Sequence, residues 1–141
     1  VDYDLRRDRP YLQYGKYQIN VATTEHGDCY DRYMVRMKEV EESFRLIQQF
    51  IQDIPEGPIM AKVPKVIKPP VGDAYHEAEN PKGILGCYVV SDGSTNPYRV
   101  HFRRPSFSNI AIYDEIFIGH KMADLVAILA SFDIVLGEID A

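Results

Sequence analysis

Apolar residues recur at Tyr30, Tyr33, Met37, Val40, Phe44, Ile47, Ile51 and Ile54, in steps of three and four without a break. That spacing is the period of an α-helix with one apolar stripe, and it predicts a long amphipathic helix facing a partner helix. Asp28, after Gly27, supplies an N-cap, and Asp31 suits the positive first turn. Pro55 and Gly57 end the pattern. The opposite face carries Arg36, Lys38, Glu39, Glu42 and Arg45, which reads as a solvated or subunit-facing side.

On either side of this helix the pattern changes. Val1 to Thr24 is rich in Tyr, Arg and Asp and has no helical period. It predicts an extended arm lying on another surface, with one strand at Tyr17–Val21. Residues 58–73, "PIMAKVPKVIKPPVGD", hold four prolines and predict a surface linker. "GILGCYVVSD" and "YRVHFRRP" are strand-like, and Asp92-Gly93 and Asn96-Pro97 between them are turn chemistry, so an antiparallel hairpin is expected. "SNIAIYDEIFIGHKMADLVAILASFDIVLGEIDA" predicts one or two helices, with Ser108 or Asn109 as a cap and Gly119 as a break. Met122 to Ala130 is apolar almost all round, which predicts burial on every side. The expected fold class is therefore α+β and mainly helical: a long amphipathic helix, an antiparallel hairpin and a buried C-terminal helix.

Length and charge narrow the reading. The 141 residues suit a single domain. A net charge of -5 disfavours a nucleic-acid partner, whose phosphates would be repelled. Cys29 and Cys87 lie far apart with no CxxC spacing, and the four histidines sit in unrelated elements, so no metal site is expected. No run reaches the ~18 apolar residues of a membrane span; Leu125 to Leu136 is too short and is interrupted by Asp133. The chain opens "VDYDLRRDRPY" without Met and reads as a piece of a longer one.

Candidate chemistry is sparse. Walker A, G-x-S-x-G and G-x-G-x-x-G patterns are absent. Arg103 and Arg104 are adjacent on a strand and point to opposite faces, so at most one serves a given surface. Lys82 before Gly83 in "ENPKG" is either a cation at a pocket rim or part of a Pro-x-Gly turn, and the residues alone favour the turn. Asp133, between Phe132 and Ile134, is either a pocket acid or, with Ser131, a helix cap, and the spacing alone favours the cap.

"YDLRRDRPY", "GDCYDRYMVRMKEVEESFRLIQQFI", "PEGP", "NPKGILGCYVVSDGSTNPYRVHFRRPSF" and "KMADLVAILASFDIVLGEID" resemble, in order, the C-terminal part of the D-subunit, the quinone-site component, of the NADH-quinone oxidoreductase (respiratory complex I) family. That family is related to the large subunits of nickel-iron hydrogenases. The resemblance implies a hydrogenase-large-subunit-like fold and a chain forming one C-terminal portion of a larger domain. In the hydrogenase relatives the chain ends near D-P-C-x-x-C; Val135 and Glu138 stand where those cysteines would be, so nickel binding is not implied.

What the resemblance implies for function is a quinone cavity between this component and the iron-sulfur B-subunit. Asp133, Val135 and Phe132 would line it, Asp133 as the acid, with Lys82 and Gly83 at its rim. The chain would bind no cofactor itself. Quinone is the substrate, a 4Fe-4S cluster sits in the neighbouring B-subunit, and NADH or another donor binds elsewhere. The C-subunit and other complex I subunits are expected partners, and the expected location is the peripheral arm on the cytoplasmic face of the membrane (the matrix side in mitochondria). Three departures accompany the resemblance. The family's N-terminal part, with a quinone-contacting His and Tyr, is not in this sequence. The helical insert usual between positions like Pro70 and Ala74 is missing. Ile84 and Ala141 replace acidic and arginine residues. The alternative from another class is a non-redox scaffold descended from a hydrogenase large subunit.

Overall fold

The computed structural model describes residues 1–140. The fold is α+β, with a three-stranded antiparallel sheet in the order β1-β2-β3 and several helices. Chain order runs from α1 (Leu5–Asp8) to α2 (Cys29–Gln52), then β1 (Gly72–Asn80), β2 (Gly83–Ser91) and β3 (Arg99–Arg103). Four short helices follow: α3 (Pro105–Ile110), α4 (Tyr113–Ile116), α5 (Asp124–Ser131) and α6 (Leu136–Asp140).

The long helix forms where the periodicity puts it. The Asp28 carboxylate accepts from the Asp31 N–H at 2.8 Å, and Asp31 in turn accepts from the N–H groups of His26 and Gly27. Those backbone bonds hold the Asp31 carboxyl below the usual range. The orientation of α2 reverses the expectation. Every residue of the apolar stripe is exposed, Tyr30 at 67% and Phe44 at 63%, whereas Leu46 on another face is buried. The described residues offer no apolar counter-face to the stripe. They offer carbonyls, hydroxyls and amides, and these meet the charged face, on which Arg36, Glu42 and Arg45 are half-buried while Lys38 and Glu39 stay exposed.

The arm lies on β1 and then on α2. Its helical turn α1 was not expected; Asp4 caps it by accepting from the Arg6 N–H at 2.9 Å. Arg9 pairs with Glu77, and the Tyr11 hydroxyl accepts from the Glu79 N–H at 3.0 Å. Tyr17 packs edge-on against Phe50, with ring centroids 4.6 Å apart. Tyr17–Val21 is extended but is not a strand, because it pairs with a helix. Glu42 accepts from the Asn20 N–H at 2.8 Å and from Arg45 Nε at 2.8 Å. The Arg45 guanidinium and the Asn20 N–H groups together pull the Glu42 carboxyl from 4.5 to about 2. A depressed carboxyl stabilises the folded state above its unfolded value and loses that stabilisation as it protonates. The arm is therefore expected to loosen from α2 as pH falls from about 4.5 toward about 2. Amide exchange at residues 18–22 checks this, and Glu42→Gln should produce the same loosening at neutral pH.

The sheet contains one strand more than the hairpin expected. β2 and β3 pair antiparallel from Gly86↔Arg103 to Val90↔Arg99. β1 pairs with the other edge of β2, from Gly72↔Ser91 to Asn80↔Gly83. The Pro-rich linker thus ends at Val71, and Gly72 and Asp73 belong to β1. The C-terminal region also differs from the expected one or two helices. Neither Ser108 nor Asn109 caps α3, which starts at Pro105. Gly119, at φ +86°, does separate α4 from α5. The expected burial on every side is not found: on α5 only Ile128 and Ser131 are buried, Val126 stands open at 72%, and Met122, just before the helix, at 83%.

The core is thin, with Leu5, Ile19, Leu46, Tyr113 and Ile128 as its buried apolar residues. The accessible surface is 11093 Å², against about 7,500 Å² for a free-standing folded monomer of this size. None of the described helices is long and apolar enough to cross a membrane.

Candidate functional site

Where the arm, the charged face of α2, the β1–β2 turn and the end of α5 converge, they line an open cavity of about 620 Å³. The turn is built by Asn80, whose side chain accepts from the Lys82 N–H at 3.0 Å, and by Gly83, at φ +136°. Both sequence readings of "ENPKG" therefore coexist: it is a turn, and Lys82 and Gly83 line the cavity.

Phe132 and Asp133 line the cavity from the corner after α5. Asp133 is not a helix cap. It sits in the left-handed region at φ +52°, its N–H donating to the Ala130 carbonyl at 3.1 Å. Nor is it a buried acid: its side chain is 46% exposed and pairs with Lys82 Nζ at 2.5 Å. The Phe132 ring lies between the Arg32 guanidinium, 4.5 Å from its centroid, and the Tyr113 ring at 5.3 Å. Val135 is not among the cavity-lining residues; it is 44% exposed, and its N–H donates to Ser106 Oγ at 3.3 Å. The fully buried Ser106 also donates its N–H to Glu138 at 3.1 Å. One serine thus ties together Val135 and Glu138. Arg103 donates to the Ile84 carbonyl and Arg104 stacks on Phe107; neither lines the cavity.

The far wall is charged. Arg6 makes paired hydrogen bonds to Asp4 at 3.0 and 2.7 Å and approaches Glu79 at 3.9 Å. Burial works to raise the Asp4 carboxyl, but the Arg6 bonds prevail and hold it below the usual range. Glu39 is shared with a second cavity of about 310 Å³. Desolvation pushes its carboxyl up, against the attraction of Arg6 and Arg36. Arg32 and Arg36 escaped the sequence reading as site residues, although their i, i+4 spacing places both on one face of α2. Among the described residues no group of three His, Cys, Asp or Glu side chains comes together to hold a metal, and Cys29 and Cys87 are free.

Comparison with known families decides the relationship. The family model described as respiratory-chain NADH dehydrogenase, 49 Kd subunit, matches residues 1–70 and 63–141. The chain belongs to this family. The D-subunit of NADH-quinone oxidoreductase from Desulforamulus reducens is 60% identical over 141 residues, covering 100% of this chain and 38% of that protein. Its counterpart from Carboxydothermus hydrogenoformans is 58% identical over 138 residues, 98% of this chain and 38% of that protein. The chain thus spans 38% of the length of these relatives. Among solved structures, a chain of the membrane-bound sulfane sulfur reductase, an archaeal respiratory membrane complex, superposes with a TM-score of 0.91 at 36% identity. The superposition covers 100% of this chain and 40% of that one. The family match falls into two blocks that meet in the Pro-rich segment, where the sequence reading finds no helical insert.

Proposed function

We propose that this chain is the C-terminal portion of the quinone-binding subunit of a proton-translocating NADH:quinone oxidoreductase. With the iron-sulfur B-subunit it would form the cavity where quinone is reduced. The observation that carries this reading is the meeting of Lys82 and Gly83 with Phe132 and Asp133 on one cavity, within a chain of the 49 Kd subunit family. The iron-sulfur neighbour would hold the 4Fe-4S cluster that supplies electrons singly, and NADH or another donor would bind elsewhere. Location on the peripheral arm, at the cytoplasmic (or matrix) face of the membrane, follows from the same reading.

Reduction of quinone to quinol takes up two electrons and two protons. The Lys82–Asp133 pair can present an N–H donor to a quinone oxygen as negative charge builds on it, and can pass on one proton. A second proton must come from another group or from recharging of the pair. The exposed α2 stripe and the large open surface support a chain that packs against the remainder of its own polypeptide and against neighbours such as the B- and C-subunits.

A photoreactive quinone analogue in the intact complex tests the reading. Label is expected on peptides containing Lys82 or Phe132–Asp133 and should be competed away by excess quinone. Competable label confined to other subunits would overturn it. The superposition on a sulfane sulfur reductase supports a second reading, in which this framework serves a different acceptor. Under that reading the same analogue labels nothing competably.

A further inference from the structure

Two local backbone bonds, Phe132 N–H to Leu129 and Asp133 N–H to Ala130, close the corner that presents Asp133, and contacts from distant residues complete its hold. At φ +52° the Asp133 backbone is in the left-handed region, which its own Cβ disfavours though aspartate tolerates it better than most residues, so outside contacts add to its hold. Downstream, the Val135 N–H is fastened to Ser106. Upstream, the fastening comes from α2, about a hundred positions earlier in the chain. Arg36 Nη1 donates to the Ser131 carbonyl at 2.6 Å, and Arg32 Nε donates to Ser131 Oγ at 2.9 Å. Arg32 is itself braced by the Gly27 carbonyl and by Cys29 Sγ, and its guanidinium covers the Phe132 ring. Two cations thus engage the carboxyl end of α5, where helix carbonyls lack partners inside the helix.

From this arrangement we infer that Arg32 and Arg36 are positioning residues of the cavity: from α2 they hold the Ser131–Phe132 segment so that Asp133 meets Lys82. They act through Asp133 and need not touch the acceptor. The inference rests on the quinone reading. Its consequence is that displacement of α2 along its axis moves the Asp133 corner with it.

The test uses the intact complex, normalised to the amount assembled, and reads KM and kcat for a soluble quinone together with the half-inhibitory concentration of a quinone-site inhibitor. Arg36→Met keeps the length of the side chain and removes the donor. It is expected to raise quinone KM about tenfold while kcat falls no more than about threefold, since a misplaced partner weakens productive binding first. Arg36→Lys restores one donor and should bring KM back to within about threefold of the native value. A native KM and native inhibitor sensitivity in assembled Arg36→Met would overturn the inference. If Arg36→Met does not assemble, Ser131→Ala decides. It deletes the hydroxyl that accepts from Arg32 and donates to the Ile128 carbonyl at 2.6 Å and leaves the backbone carbonyl that Arg36 holds, so a raised KM supports the clamp and a native KM overturns Arg32's part in it. Asp133→Asn run in parallel separates the two failures. If it alone alters quinone kinetics, the clamp is wrong and the cavity stands; if it too is silent, both fall.

Discussion

Gly83→Ala is expected to destabilise the β1–β2 turn by about 2–3 kcal/mol and to displace Lys82 from Asp133. Two independent costs combine. At φ +136° an L side chain is strained whatever space surrounds it. The added Cβ would also lie 2.9 Å from Cβ of Pro105, a buried ring at the head of α3 that has no rotamer to escape into. Relief must come from the turn itself, and the turn carries Lys82. Thermal denaturation of the complex should show a lowered midpoint, and surviving complex should show reduced inhibitor sensitivity. Gly119→Ala is the comparison. It shares a positive φ of +86° but meets nothing within 4 Å, so it carries the conformational cost without the clash or the effect on inhibitor.

The contrast between α2 and β1 shows what the sequence could convey. α2 was legible in type and at its N-terminus, where stripe and Asp28 cap agree; its C-terminus, at Gln52, falls short of Ile54 and Pro55. Its facing was not legible. Periodicity locates a stripe but does not say which segment covers it, and here no described residue covers it. β1 was missed because "GDAYHEAEN" reads as a polar stretch. Its carboxylates are matched by arginines of the arm, Arg9 on Glu77 and Arg6 near Glu79, some seventy residues away. The site was legible one residue at a time. Lys82 and Asp133 each stood out with a bland alternative, yet nothing local joins two residues that lie 51 positions apart. Arg32 and Arg36 were hidden by the ordinary expectation that charges on an amphipathic helix face water. Ala141, which the resemblance sets against a family arginine, lies outside the described residues.

Asp133→Asn should lower quinone reduction by about tenfold to a hundredfold, with little effect on assembly. Asparagine keeps the shape of the side chain and removes the carboxylate. The corner therefore keeps its backbone bonds to Ala130 and Ser106, and Asn tolerates the left-handed conformation nearly as well as Asp. What is lost is the counter-charge to Lys82 and a group able to take up and release a proton. Lys82→Met removes the other half of the pair and should cause a loss of the same order, and the double variant should lose less than the product of the two, because they act as one unit.

Quinone reduction by the intact complex carrying Asp133→Asn, with inhibitor sensitivity of the cavity-lining variant Phe132→Leu measured beside it, tests the central claim most directly. The quinone-cavity account predicts a fall of about tenfold or more for the first and weakened inhibitor binding for the second, each in a fully assembled complex. Native activity in the first together with native inhibitor sensitivity in the second would contradict it and leave this chain as a scaffold.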